Sequence, residues 1–318
     1  MFDIVFLGTS ASAPSIYRGL SAQAILAGED RFLVDCGEGT QRQILRSGIG
    51  FKKLNRILLT HAHLDHILGL GGLVSTFTRW ESMDDLHIWG GEHTLERVHA
   101  LLYGVVLAGQ KPPIPIYLNA IDGEMTIYEG KDFTVSAFPV THRGRGCFGY
   151  TFKEHNHRPF MAEKAEELNI PHGPERGRLV KGETVTLDDG RVITPDMLLG
   201  EEIPGVKICI TGDIARTDNI HDYVADADVL ITEATFLDSE REEANSFGHI
   251  TAKQAGELAK EVNVKHLLLT HVSRRYREFE VIKEAEATFP DSIVVRDLDH
   301  FSIRRGQSLQ KVEPEQNE

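Results

Sequence analysis

Three histidines and an aspartate lie within six consecutive positions of this chain. The stretch ILLTHAHLDH, residues 57–66, begins as an apolar strand and ends in a polar loop that contains His61, His63, Asp65 and His66. Residues two apart in an extended loop point the same way, so His61 and His63 can offer imidazole nitrogens to one cation. Asp65 and His66 then turn toward a second position. A surface loop that happens to be rich in histidine is the alternative, and the apolar strand directly before it disfavours that interpretation.

An apolar strand followed by Thr or Gly and then by a metal-type side chain occurs four times. The four segments are ILLTH, SAFPVTH, KICITGD and HLLLTH, which end at His61, His142, Asp213 and His271. In sheets covered by helices, binding crevices form at the carboxyl ends of the strands, so we expect these side chains to meet at one edge. Taken alone, His142 or His271 is also consistent with an ordinary histidine at a strand end.

The number of these ligands indicates a site for two metal ions. We predict that His61, His63 and His142 hold a first ion. A second ion would be held by Asp65, His66 and His271, and Asp213 would bridge the two ions. Two-metal hydrolytic sites hold their ions about 3.5 to 4 Å apart, and a carboxylate bridge suits that spacing. Imidazole and carboxylate ligands without thiolate favour two Zn²⁺ per subunit, with Mn²⁺ or Fe²⁺ as substitutes.

The elements that must position these ligands predict an α/β fold. The segments RILLTHAH and HLLLTHVS are nearly identical and lie in opposite halves of the chain, which indicates two related sheets that face each other. Helical segments between the strands would cover the outer faces. We therefore predict a single αββα sandwich over residues 1–318, with the site along one edge.

Composition limits the class of protein. The chain has 318 residues, 41% of them hydrophobic, which supplies a sizeable core. A formal net charge of −14 argues against a general nucleic-acid coat, so any RNA contact must be local and no DNA contact is expected. No run approaches the roughly 18 to 20 apolar residues of a membrane span, and the N-terminal MFDIVFLGTS is a strand without a targeting pattern. We expect a cytoplasmic protein with no membrane contact.

Residues 154–205 form an insertion that the sandwich does not require. AEKAEELNI predicts a short helix, IPHGPERGRLVKGE a rigid Pro/Gly loop, and TVTLDDGRVI a hairpin with an Asp-Gly turn. The loop carries Arg176, Arg178 and Lys181, so the insertion is an arm with a basic tip on an acidic protein. An ordinary insertion with a solvated charged face is the alternative.

A carboxylate and a histidine outside the ligand set suggest acid–base chemistry. Glu233 follows the strand in VLITEATF, and His249 lies just before a helix that Thr251 can cap. A carboxylate that orients an imidazole and raises its basicity produces a proton donor suited to neutral pH. A structural glutamate and a helix-start histidine are the alternative interpretation.

The pattern THxHxDH at residues 60–66 resembles the signature of the metallo-β-lactamase superfamily. Within it, the chain is most similar to the ribonuclease Z family. The insertion resembles that family's flexible arm, including a Gly-Pro motif in GPERGRL at residues 173–179. The segments EAT at 233–235 and GH at 248–249 match the family's acid–base pair. This resemblance separates the chain from lactonases, thioesterases and β-lactamases, most of which lack such an arm.

The resemblance implies an endoribonuclease that removes the 3′ trailer from precursor tRNA, leaving a 3′-hydroxyl on the tRNA and a 5′-phosphate on the trailer. Asp65 is expected to orient the attacking water and take its proton, and His249, held by Glu233, to protonate the leaving oxygen. The arm residues expected to contact tRNA are Gly173, Pro174, Arg176, Arg178 and Lys181. The family also implies a homodimer. Alternatives are a phosphodiesterase of the same fold acting on small phosphodiesters, a thioester or lactone hydrolase, and a catalytically silent RNA-binding relative.

Overall fold

The computed structural model describes residues 2–80, without the side chain of Trp80, and residues 83–313. The chain divides into two compact units. The larger unit comprises residues 1–153 and 206–318, and the smaller one comprises residues 154–205.

The strands of the described residues form two large sheets in the larger unit and a two-stranded sheet in the smaller one. In chain order they are β1 Phe2–Gly8, β2 Ala22–Ala27, β3 Asp30–Val34, β4 Arg56–Leu58, β5 Leu86–Gly91, β6 Ile116–Ile121, β7 Met125–Glu129, β8 Phe133–Pro139, β9 Phe148–Glu154, β10 Val185–Thr186, β11 Val192–Ile193, β12 Lys207–Ile210, β13 Val229–Glu233, β14 His266–Thr270, β15 Ser292–Val294, β16 His300–Ile303 and β17 Gln310–Lys311. One sheet has the order β17-β16-β1-β2-β3-β4-β5-β6, and the other has the order β15-β14-β13-β12-β9-β8-β7.

The helices lie mainly between strands of the same sheet. In chain order they are α1 Thr40–Arg46, α2 Leu64–Ile67, α3 Leu70–Trp80, α4 Glu92–His99, α5 Ala162–Glu167, α6 Pro174–Val180, α7 His221–Val224, α8 Arg241–Phe247, α9 Ala252–Glu261 and α10 Glu278–Glu286. Helix α4 continues as a π-helical segment at Ala100–Val106, and short 3₁₀ turns lie at Pro195–Met197 and Asp238–Glu240. Thr251 caps α9 in a capping box with Gln254, as predicted.

The hydrophobic core has three layers, which explains why the sequence folds as a sandwich. Along β1, Phe2, Ile4 and Phe6 belong to a cluster that includes side chains of both sheets, whereas Val5 and Leu7 belong to a cluster with the helices α1 and α3. On β14, Leu268 belongs to the same central cluster, whereas its neighbours Leu267 and Leu269 belong to a cluster with residues of α9 and α10. Because alternate residues of a strand face opposite ways, both faces of each sheet are buried. The predicted αββα fold is confirmed.

The smaller unit has a core of its own, made by Leu179, Leu198 and five further apolar side chains. Helix α5 and the β10–β11 hairpin lie where the sequence predicts them. The predicted Pro/Gly loop is wrong over residues 174–180, because this stretch is the helix α6. Pro174 at its first turn favours rather than breaks a helix, since its missing N–H would be unpaired there in any case.

None of the helices in residues 2–80 and 83–313 has the length and hydrophobicity to cross a lipid bilayer. Cys36, Cys147 and Cys209 are free and buried.

Candidate metal centre

The carboxyl ends of strands from both sheets supply the residues of the candidate site. His61 lies three residues beyond β4, and His142, Asp213 and His271 follow β8, β12 and β14. Asp65 and His66 lie in α2, so the prediction of an extended loop is right for His61 and His63 and wrong beyond them. The helix turns Asp65 and His66 toward the same centre. The seven predicted ligand residues are therefore brought together at one edge of the sandwich.

One carboxylate oxygen lies at the centre of this cluster. Oδ2 of Asp213 is 3.6 Å from Nε2 of His61, 3.4 Å from Nε2 of His66 and 3.9 Å from Nε2 of His142. The same oxygen is 3.5 Å from Nε2 of His271. Asp213 is 3% exposed, so little water reaches this oxygen. A single buried oxygen surrounded by four imidazole nitrogens is placed as a bridging ligand would be.

Several imidazole nitrogens of the cluster face one another, and hydrogen bonds alone do not satisfy all of these nitrogens. Nε2 of His61 lies 2.9 Å from Nδ1 of His63, which is also 3.3 Å from Nε2 of His142. On the other side, Nε2 of His66 lies 3.3 Å from Nε2 of His271. Nitrogen lone pairs that point at each other in a buried space are a suitable donor set for divalent cations. The residues thus fit a metal centre, with His63 offering Nδ1 and its partners Nε2.

A buried carboxylate and hydroxyl hold two of these histidines. Nδ1 of His66 donates to Oδ2 of Asp35 at 2.7 Å. The hydroxyl of Thr60 lies 2.9 and 3.0 Å from the two oxygens of Asp35 and 3.0 Å from Nδ1 of His61. Because an ionised carboxylate can only accept, Thr60 donates to Asp35 and accepts from His61. Both rings therefore use Nδ1 for these hydrogen bonds and direct Nε2 at Asp213.

A second carboxylate and hydroxyl form an equivalent arrangement across the site. The hydroxyl of Thr235 donates to Oε2 of Glu233 and lies 3.0 Å from Nδ1 of His271. Both oxygens of Glu233 lie 3.0 Å from Nδ1 of His249, and Oε1 accepts the backbone N–H of Ile214 at 2.8 Å. Glu233 is fully buried. The predicted pair of Glu233 and His249 is therefore in contact, and Thr235 joins it to His271.

Backbone geometry helps to place two more histidines. Nδ1 of His142 donates to the carbonyl oxygen of Gly248 at 2.6 Å, which leaves Nε2 free. His271 has a φ of 53°, a left-handed conformation that is uncommon for residues other than glycine. Such backbone strain is typical of functional positions, where the surrounding structure holds it in place.

The ionisation of three of the histidines and of both aspartates in the cluster suits cation binding. Burial lowers the pKa of His61 and His142, and it lowers the pKa of His63 to about 4, with the neighbouring histidines adding to the effect. These rings are therefore neutral at pH 7. Burial opposes ionisation of Asp213, yet the charges of His271 and His66 hold its pKa well below the usual range. Burial likewise opposes ionisation of Asp65, but its hydrogen bond to His271 holds its pKa low.

His249 is shifted in the opposite direction. Burial lowers its pKa, but the charge and hydrogen bond of Glu233 outweigh this effect and raise the pKa to about 9. The ring lies beside His142 and His271, with centroid distances of 5.1 and 5.5 Å. A protonated imidazole at neutral pH, directed into the same space as the ligands, can act as a general acid.

The cluster opens into a cavity of about 360 Å³. Asp65, Asp213 and His249 line it, together with Phe236, Phe247, Arg143, Arg274 and Arg275. Basic and aromatic side chains thus surround an acidic and imidazole-rich centre.

The predicted tRNA contacts in the smaller unit have different environments. Pro174 is the first residue of α6, and Gly173 and Lys181 are its cap residues. Arg176 is 12% exposed and bonds Glu166 at 2.8 Å and the carbonyl oxygen of Ile170 at 2.6 Å. Arg178 is half exposed, with Glu183 at 2.9 Å. Within this unit, Arg176 supports the fold, whereas Arg178 and Lys181 face solvent.

Asp35 and Thr235 belong to the site although neither is among the site residues predicted from the sequence. Asp35 follows β3 directly, in the order FLVD, which is a strand-end position like those of the ligands but lacks the Thr or Gly that precedes each of them. Thr235 lies two positions after Glu233, where the chain leaves β13. The position of Asp35 at a strand end is therefore a partial sequence signal, whereas Thr235 lacks one.

Comparison with known proteins agrees with this geometry. The sequence model of the metallo-beta-lactamase superfamily matches residues 19–143. Ribonuclease Z of Bradyrhizobium diazoefficiens is 45% identical over 95% of this chain and 100% of its own length, and ribonuclease Z of Archaeoglobus fulgidus is 38% identical over 97% and 100%. The crystal structure of the short form of human tRNase Z superimposes with a TM-score of 0.67 at 25% identity, covering 95% of this chain and 99% of that one. The chain belongs to the ribonuclease Z family of the metallo-beta-lactamase superfamily.

Proposed function

We propose that the protein is an endoribonuclease that removes the 3′ trailer from precursor tRNA by hydrolysing one phosphodiester bond. The tRNA keeps a 3′-hydroxyl and the trailer carries a 5′-phosphate. One observation carries the proposal: the seven ligand residues form one cluster, the pair of Glu233 and His249 adjoins it, and His63, Asp65, Asp213 and His249 line the cavity. The family relatives that match nearly the whole chain support the choice of RNA substrate.

The ligand residues would hold two divalent cations, of which Zn²⁺ suits the nitrogen and oxygen donors best. His61, His63 and His142 form one group with Asp213, and Asp65, His66 and His271 form another. When bound, two such cations lower the pKa of a water molecule and stabilise negative charge on the phosphoryl oxygens. Asp213 would be shared by the two groups, because its Oδ2 lies 3.6 Å from Nε2 of His61 in one group and 3.5 Å from Nε2 of His271 in the other.

Asp65 orients the attacking water and takes its proton. Its Oδ2 accepts the backbone N–H of Ser12 at 2.9 Å and lies 3.4 Å from Nε2 of His271, which fixes the carboxylate at the mouth of the cluster. Its low pKa keeps it ionised at neutral pH, so it is able to accept a proton.

His249 donates a proton to the departing 3′ oxygen of the tRNA. Glu233 holds Nδ1 of this ring, so the proton that is transferred is the one on Nε2. The raised pKa keeps the ring protonated before the bond breaks. Base and acid are thus separate residues, and both line the same cavity.

The smaller unit, residues 154–205, serves as the tRNA-binding arm. Its exposed Arg178 and Lys181, with the Gly173–Pro174 turn at the start of α6, support a contact with the tRNA backbone. We also place the protein in the cytoplasm as a homodimer, as the family resemblance implies.

Cleavage of a precursor tRNA with a labelled trailer tests the proposal. Wild type is expected to release the trailer as one fragment with a 5′-phosphate, and Asp65→Asn to lose at least about 100-fold in rate because the proton acceptor is gone. Intact RNA together with turnover of a small phosphodiester, a thioester or a lactone would identify one of the alternative hydrolases. RNA binding without any hydrolysis would identify a silent relative.

A further inference from the structure

Phe247 is a large aromatic side chain that the fold leaves exposed inside the cavity. It is the last residue of α8, it is 45% exposed, and it lines the same cavity as Asp65 and His249. The buried ring of Phe236 lies behind it, with a centroid distance of 6.3 Å and an angle of 8° between the ring planes. The two rings therefore form an aromatic wall whose outer face is open.

The short backbone connection from Phe247 to His249 places the aromatic wall next to the proposed acid. Gly248 has a φ of 74°, which ends α8 and lets His249 follow only two residues after Phe247. The carbonyl oxygen of Gly248 also holds the ring of His142. The backbone next to Phe247 thus contacts the ligand residue His142 through Gly248 and leads directly to the proposed acid.

Two arginines at the cavity have no hydrogen-bond or ion-pair partner for their guanidinium groups among the described residues. Within residues 2–80 and 83–313, no hydrogen bond or ion pair engages the guanidinium of Arg143 or Arg274. Arg275, in contrast, bonds Glu240 and Glu243. The side chain of Arg143 passes over Gly248, where a Cβ would lie 2.7 Å from its Cγ. Unpaired cations beside an open aromatic face suit a ligand that carries both phosphates and π-systems.

We propose that Phe247, backed by Phe236, stacks the base of the nucleotide on the 5′ side of the scissile phosphate, while Arg143 and Arg274 hold adjoining phosphates. This inference rests on the proposed function. The nucleotide in question is the one whose 3′ oxygen receives the proton from His249, so its base lies one sugar away from the acid. Every base has a π-face, and a stacking surface therefore accepts any base at this position.

The test combines one protein substitution with one substrate change. Precursor tRNA is prepared with either a normal or an abasic nucleotide immediately 5′ of the cleavage site, and wild type is compared with Phe247→Ala. On the normal substrate, Phe247→Ala is expected to lower kcat/KM roughly tenfold, in the range found for base–aromatic stacking. The abasic substrate is expected to lower kcat/KM of wild type by a similar factor, with no further loss in Phe247→Ala.

Two further variants show whether the ring itself matters. Phe247→Tyr keeps an aromatic face and is expected to stay within about twofold of wild type on the normal substrate. Phe279→Ala is the matched control, because Phe279 is 58% exposed on α10 and is not part of the cavity lining. Phe279→Ala is expected to show the same ratio of kcat/KM between the normal and the abasic substrate as wild type does.

Two results would overturn the inference while leaving the proposed function intact. In one, Phe247→Ala loses the same factor on normal and abasic substrates, which shows that the ring does not contact this base. In the other, Phe247→Ala changes the sedimentation behaviour of the protein, which assigns the residue to an interface between copies. If wild type cuts neither substrate, the proposed function fails, and the stacking site fails with it.

Discussion

Nδ1 of His66 lies 2.7 Å from a carboxylate oxygen of Asp35, although the two residues are 31 positions apart in the chain. Asp35 is 2% exposed and also accepts the hydroxyl and the backbone N–H of Thr60. One buried carboxylate thus holds Nδ1 of one ligand directly and Nδ1 of His61 through a hydroxyl. Partners of this kind orient metal ligands and raise their basicity.

Replacing Asp35 should weaken metal binding without removing any ligand. We expect Asp35→Asn to lower the affinity for Zn²⁺ by about 10- to 100-fold, because the charge that orients His66 is lost. Competition with a chromophoric chelator measures this change in the purified protein. The control is Asp84→Asn, an exposed aspartate outside the cluster. An affinity equal to that of the control would rule out a positioning role for Asp35.

Thr235 should act through its hydroxyl. Thr235→Val leaves the buried Nδ1–H of His271 without an acceptor, which costs about 1 to 3 kcal/mol in the free energy of unfolding and also weakens metal binding. Thr235→Ser keeps the hydroxyl and should restore both properties. Chemical denaturation and chelator competition provide the two readouts. If Ser and Val variants behave alike, the hydrogen bond to His271 does not carry the effect.

The rate of cleavage should fall at alkaline pH. His249 must be protonated to donate, so activity is lost as pH rises through its pKa, which Glu233 raises to about 9. Glu233→Gln removes the charge that raises this pKa, and the alkaline limb of the pH–rate profile should therefore move to lower pH. Glu242→Gln, at an exposed position of α8, serves as the control. An alkaline limb at the same pH in Glu233→Gln and wild type would contradict the acid role of His249.

The arm should bind tRNA through charge. Exchanging both Arg178 and Lys181 for Ala is expected to raise KM for precursor tRNA and to flatten its salt dependence, by roughly 0.9 in log–log slope for each phosphate that is no longer neutralised. Lys52→Ala with Lys131→Ala removes the same charge from exposed positions of the larger unit. Equal KM values for the two double variants would show that the arm cations do not bind the substrate.

The sandwich and the ligand set follow from local sequence patterns. Each strand that leads to a ligand is short and apolar and is followed by a polar residue. The same sequence pattern therefore predicts both the strand end and the ligand at His61, His142, Asp213 and His271. Strands with both faces buried require a further layer on each side of their sheet, and in the structure these layers are the other sheet and the helices. These features depend on side-chain periodicity, which a single sequence displays directly.

The details around the ligands depend on interactions between distant segments. The role of Asp35 becomes apparent only when β3 and β4 pair and bring it to His66, and Thr235 joins Glu233 to His271 across 36 positions. The sequence also predicts a loop where the short helix carries Asp65, because four residues are too few for a helical pattern. Tertiary packing decides these points, and sequence spacing alone does not encode them.

The most direct test is to titrate metal into metal-free protein and to measure precursor-tRNA cleavage and bound ions per chain in the same samples. We expect cleavage to be absent without metal and to reach its maximum as about two ions bind per chain, in the manner of two-metal hydrolases. Asp213→Ala should fail to bind the pair and should not cleave at any point of the titration. Full cleavage by metal-free wild type, or by Asp213→Ala, would contradict a two-metal centre built on these seven side chains.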